Sequence, residues 1–258
     1  MAKTVESGLK KGMTRLGNFV EGLIGQAKSA KTQLGTRSGI QPVIALESRL
    51  SPERMRQLLD FVTDRLVLPT FPALKDKSLL EVGEGPMRYV LAFAERKPRV
   101  NTGVVVGSGL MASGPVPSGA LLLRGVFKAL PFPAEHFDFA AVRLTTPLQG
   151  DVVGPVKEVG RVLTPDGTAI LVDYHPFGLF AKSGASRMRG VESSIRGLED
   201  YYKMCRLAGL SITDIREAFI DDSLRNFFGT PEEAQIFRDL KGSPLILCLM
   251  VTKMRQAA

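Results

Sequence analysis

Tryptophan is absent from this chain of 258 residues, and histidine and cysteine occur only twice each. The two cysteines, Cys205 and Cys248, form no CxxC pair and stand in apolar or helical surroundings, which excludes a disulfide framework and a cysteine-based zinc site. Long apolar runs are missing too. The longest, Pro244–Val251, is too short to cross a bilayer, and the N-terminus lacks the apolar block followed by small residues that secretion needs. Phe19 is the one aromatic residue within the basic clusters, too little for the stacking that single-strand binders use, so nucleic acid is not an expected partner. Together these absences predict a reduced, cytoplasmic protein.

What is present is an ordinary globular composition, 44% hydrophobic, with a formal charge of +8. The charge is unevenly spread: residues 1–40 carry seven Lys or Arg against two Glu, and Lys182, Arg187, Arg189 and Arg196 surround the single acid Glu192. In the first segment Val5, Leu9, Met13, Leu16, Phe19, Val20, Leu23 and Ile24 recur at helical spacing, which predicts a basic amphipathic helix. Such a stripe packs on the protein itself, on a twin subunit in a homodimer, on a partner protein, or peripherally on an anionic membrane. Gly35 to Gly39 interrupt the pattern, and a second helix is predicted from Ser51 as N-cap with Pro52 in the first turn. The division expected is a helical extension and linker over 1–50 and a catalytic-sized domain over 51–258.

From Ser78 onward short apolar runs alternate with helical stretches, the pattern of a parallel α/β fold. Strands are predicted at Ser78–Val82, Asn101–Val106, Ala120–Gly125, Phe137–Arg143, Ala169–Asp173, Ser211–Phe219 and Leu245–Thr252. Helices are predicted near Met87–Glu95, Asp151–Leu163, Gly197–Ala208 and Pro231–Lys241, with Gly209 as a stop and "TPDG" at Thr164–Gly167 as a tight turn.

Four stretches then fall in a telling order: "LLEVGEGP", "LPFPAEHFDFAAV", "EVGRVLTPDGTAILVDYHP" and "YYKMCRLAGLSITDIREAF". Between Ser78 and about Phe219 the chain resembles a class I S-adenosylmethionine-dependent methyltransferase of the small-molecule type found in ubiquinone and biotin pathways. The resemblance implies a Rossmann-like α/β fold with a seven-stranded, mostly parallel sheet whose last strand is antiparallel. It also implies S-adenosylmethionine as cofactor, bound near Glu81, Gly83, Gly85, Val105, Val126, Phe127 and Arg143.

The residues at those positions depart from the family's pattern. Glu81, Gly83 and Gly85 match the first loop, but Met87 stands where a third glycine is usual. Val105 occupies the place of the acid that meets the ribose hydroxyls, and Val126 that of the Asp that meets the adenine amino group. Charge-assisted hydrogen bonds contribute on the order of 1.5–3 kcal/mol each, so losing the ribose pair weakens binding by about a hundredfold or more. Taken by themselves, the glycines also suit a plain strand-to-helix turn and the valines suit strands.

At the strand ends, where open α/β sheets bind ligands, Arg143, Thr145 and Thr146 follow strand four, and Asp173, Tyr174 and His175 follow strand five. His175, with Tyr174, is the candidate catalytic base, needed only where the acceptor must lose a proton. The segment "YHPFGLFAKSGASRMRGVESSIRG" suits either a lid for an anionic acceptor or a solvated loop. Two functions follow: methylation of a small, anionic or lipid-like acceptor, or a degenerate methyltransferase-fold protein that does not bind the cofactor and serves as a binding or scaffolding subunit.

Overall fold

The computed structural model describes residues 50–107, 111–112, 114–144, 153–176 and 197–255. The amphipathic segment, most of the basic stretch after Tyr174, and Thr145 and Thr146 lie outside these residues. Helix α1, Pro52–Val67, begins where Ser51 accepts a hydrogen bond from the Arg54 N–H, so the predicted cap closes the first turn. Its inner stripe, Met55, Leu58, Val62 and Val67, is buried. Sealing each such side chain is worth about 1.5–3 kcal/mol, which fixes the helix on the domain.

Seven strands follow: β1 Ser78–Gly83, β2 Val100–Val106, β3 Leu121–Gly125, β4 Phe137–Arg143, β5 Leu163–Tyr174, β6 Leu210–Phe219 and β7 Pro244–Lys253. They form one sheet in the order β3-β2-β1-β4-β5-β7-β6. The first five run parallel, and β7 is antiparallel to both of its neighbours, β5 and β6. Alternation along β1 sends Leu79 to one face and Leu80 and Val82 to the other. The first face packs under α1, α2 (Arg88–Ala92) and α5 (Pro231–Leu240); the second packs under α3 (Val153–Val162) and α4 (Leu198–Leu207).

Two local expectations change. The predicted turn at Thr164–Gly167 lies inside β5, as a bulge where the β4 register jumps from Phe137 to Phe139, with Asp166 left-handed at φ 61°. Helix α2 stops at Ala92 instead of running to Glu95, because the chain tightens into a 3-10 turn at Ala94–Arg96 and then reverses at left-handed Lys97. Gly209, at φ 70°, ends α4 as its position predicts.

Candidate functional site

From β1 the sheet grows outward through β2 and β3 on one side, and through β4 and β5 on the other. The carboxyl ends of β1 and β4 therefore border the point where the direction of winding reverses, which is where open α/β sheets leave a crevice. The loop Glu84–Met87 leaves β1 at this point and leads into α2.

Glu81, within β1 just before that loop, is fully buried. Its Oε2 accepts the backbone N–H groups of Tyr89 and Val90, each at 2.9 Å, at the start of α2, while Oε1 lies 3.4 Å from Arg143 Nη2. Burial pushes its carboxyl up, against the opposing pull of the Arg143 charge and the two N–H donors. Glu81 thus fastens the helix start to the strand and faces the protein interior.

Arg143, at the end of β4, donates from Nη2 to the Pro86 carbonyl at 2.7 Å. Its Nε is buried and has no hydrogen-bond partner among the described residues. A β-carbon at Gly83 would come within 3.1 Å of both Arg143 Cβ and Nε, so glycine at 83 is what lets this side chain cross the strand end. Met87 turns inward: a β-carbon at Gly103 of β2 would meet its Cγ at 2.5 Å. The long side chain at the third-glycine position is therefore accommodated by a glycine on the neighbouring strand, away from the crevice.

The remaining predicted cofactor residues scatter. Val105 is sealed in the core beside Leu79 and Met87, and Phe127 is buried in the core on the opposite face. Val126 is 66% exposed in the turn that closes β3, where it bridges to Ala129, and Gly85 is half-buried in the loop.

At the end of β5, Asp173 accepts the Tyr201 hydroxyl at 2.6 Å, and Tyr174 is buried. Burial, then the charges of Asp173 and Glu84, push the Tyr174 phenol up. His175 Nε2 lies 2.5 Å from Glu217 Oε1 on β6, and its backbone N–H donates to the Leu245 carbonyl. The loop is braced from outside by α1: Arg88 reaches Asp60 at 3.2 Å and Asp64 at 2.9 Å, and the Tyr89 hydroxyl donates to Asp64 at 3.0 Å. Burial pushes the Asp64 carboxyl up, with Arg88 pulling the other way.

Sequence reasoning passed over three of these carboxylates. Glu217 is 42 residues from His175 and on a different strand, and Asp64 lies 25 residues from Tyr89, so no local spacing could reveal either pair. Glu84 stood inside the quoted loop, between the two glycines. Among the described residues no group of His, Cys, Asp or Glu could hold a metal ion, and no helix is long and apolar enough to cross a membrane. Cys205 and Cys248 are both buried, which pushes their thiols up to about 12.

No family model matches the chain, and neither does any curated protein sequence. Solved structures do. An S-adenosylmethionine-dependent methyltransferase of Mesorhizobium loti superposes with a TM-score of 0.58 at 16% identity, over 76% of this chain and 99% of that one. Geranyl diphosphate C-methyltransferase of Streptomyces coelicolor, solved with S-adenosyl-L-homocysteine, gives 0.54 at 17% identity, over 78% of this chain and 76% of the other. The [4+2]-cyclase SpnF gives 0.52 at 19% identity, over 78% and 81% of the two chains. A fold shared by methyltransferases and a cyclase does not dictate one reaction. With its β3-β2-β1-β4-β5-β7-β6 sheet, the chain has the class I S-adenosylmethionine-dependent methyltransferase fold.

Proposed function

We propose that this protein transfers a methyl group from S-adenosylmethionine to a small acceptor, in a crevice bordered by the loop Glu84–Met87 and the carboxyl ends of β4 and β5. The observation that carries the reading is Arg143, whose buried Nε–H, without a partner among the described residues, lies beside Gly83 at the reversal point of the sheet. A buried donor left without an acceptor costs on the order of 1–3 kcal/mol, a cost that an anionic ligand group removes. The amino-acid carboxylate of S-adenosylmethionine is such a group, and in this respect the residues fit the cofactor. When bound, the cofactor supplies an electrophilic methyl carbon.

The chain's own contribution is to hold and exclude. Glu81 and α1 keep the loop in place, Arg143 offers its N–H, and the core residues behind the strand ends exclude water from the rear of the crevice. His175, which follows β5 and pairs with Glu217 of β6, serves as the base where an acceptor must lose a proton. The basic stretch 177–196 supports an anionic or lipid-like acceptor, and the segment 1–50 supports contact with a partner protein, a second copy or a membrane surface.

Calorimetric titration of the full chain with S-adenosylmethionine and S-adenosylhomocysteine tests the reading. Micromolar binding is expected, with a thermal stabilisation equivalent to about 2.7 kcal/mol at a hundredfold excess over Kd. Absence of heat and of stabilisation up to millimolar ligand overturns it and leaves the scaffolding role.

A further inference from the structure

The family that this chain resembles places an acid at the end of its second strand, where it meets two ribose hydroxyls. Here that position is Val105, sealed in the core. The parallel register pairs Gly83 of β1 with Val105 of β2, so the residue after Gly83 leaves the sheet level with the end of β2. That residue is Glu84. A β-carbon at Gly107, the residue that follows β2, would lie only 3.7 Å from Glu84 Oε1. The carboxylate therefore overhangs the end of the second strand although it belongs to the loop after the first.

Three further observations favour a ligand-facing role. Glu84 is half-buried, and no hydrogen bond or salt bridge to another described residue engages its carboxylate. Gly107 is left-handed at φ 73°, a conformation that keeps a side chain from intervening, and its carbonyl is held by Arg124 Nη1 at 3.1 Å. The Glu84 charge also reaches the buried Tyr174 at the end of β5, adding to burial and Asp173 in pushing its phenol up.

We infer that Glu84 accepts the vicinal hydroxyl pair of the ribose of an adenosine-containing cofactor, supplying from the first loop the acid that the second strand lacks. The assignment rests on the proposed use of S-adenosylmethionine. A carboxylate has two acceptor oxygens for two adjacent O–H donors, and these charge-assisted bonds are the contacts that Val105 cannot make.

The test is calorimetry on the full chain and its E84Q variant, with S-adenosylhomocysteine and with the 2′,3′-dideoxyribose analogue of the same compound. Unliganded E84Q should melt at the wild-type temperature, because the side chain is partly exposed and makes no hydrogen bond or salt bridge with the described residues. The expected result is that E84Q binds S-adenosylhomocysteine about thirtyfold or more weaker than wild type, while both proteins bind the dideoxy analogue alike. Equal affinity of wild type and E84Q for S-adenosylhomocysteine overturns the role of Glu84 and leaves the cofactor reading standing. An equal loss toward both compounds also overturns it, since the carboxylate would then act on some other part of the ligand. No binding by wild type overturns the methyltransferase reading, and the role of Glu84 with it.

Discussion

The two sides of the sheet are built to different standards. On the β5-β7-β6 side the strands run 12, 10 and 10 residues, and helices pack on both faces. On the β2-β3 side β3 has five residues, none of them buried, and no described residue between β2 and β4 is helical. The adenosine of a cofactor would lie toward this thinner side. It is also where strand-borne acids give way to Val105 and Val126, and where the nearest carboxylate, Glu84, comes from a loop. The comparison teaches that, under the proposed function, stability and ligand contacts fall to different parts of one sheet: the thick side holds the fold, and the loop at the seam would carry the polar contacts.

Removing the fastening at that seam should have the largest effect. Glu81→Ala would leave the Arg143 charge buried without its partner and strand the Tyr89 and Val90 N–H groups, for a loss of about 3–5 kcal/mol by denaturant unfolding. A loss below about 1 kcal/mol would mean that the seam does not join the two sides.

The next effect belongs to the thick side. A β-carbon at Gly160 of α3 would run into the Ala208 carbonyl at the end of α4, and backbone cannot swing aside as a side chain can. Gly160→Ala should therefore lower stability by about 1–3 kcal/mol, even though alanine favours a helix. An unchanged melting curve would show that α3 and α4 are packed more loosely than the rest of that side.

The smallest effect is expected at the thin edge, where Leu121 is 51% exposed. Leu121→Ala should shift stability by no more than about 0.5 kcal/mol. A shift of about 2 kcal/mol would sharpen the comparison in an unexpected direction, because it would mean that the edge of β3 is covered by other parts of the protein in solution.

The fold was legible because its signals are local. Alternation placed all seven strands within a few residues of their ends, except where β5 starts early at Leu163, and the capping of α1 could be read from Ser51 and Pro52. The site was legible only in outline. The loop and the strand ends could be located, yet the inward turn of Met87 depends on Gly103, sixteen positions further on and on another strand, and the crossing of Arg143 depends on Gly83. Nor could spacing distinguish a carboxylate that faces the interior, Glu81, from one that overhangs the end of β2, Glu84, although only three positions separate them. That difference is set by alternation within β1 for the first and by escape from the sheet for the second.

Helix α1 has a consequence for how the molecule comes to exist. It grips the start of α2 through Asp60 and Asp64, α5 through Arg54 with Glu233 at 2.7 Å, and the segment after β6 through Arg65 with Asp221 at 2.6 Å. Arg54 and Glu233 are 179 positions apart. Synthesis proceeds at about 5–20 residues per second, so roughly ten to forty seconds separate their emergence from the ribosome. Throughout that interval the apolar stripe of α1 waits for part of its bed, in an order of assembly that long-range contacts make slow. Of the described helices, the first to be made thus braces the loop after β1, and it is anchored by the last.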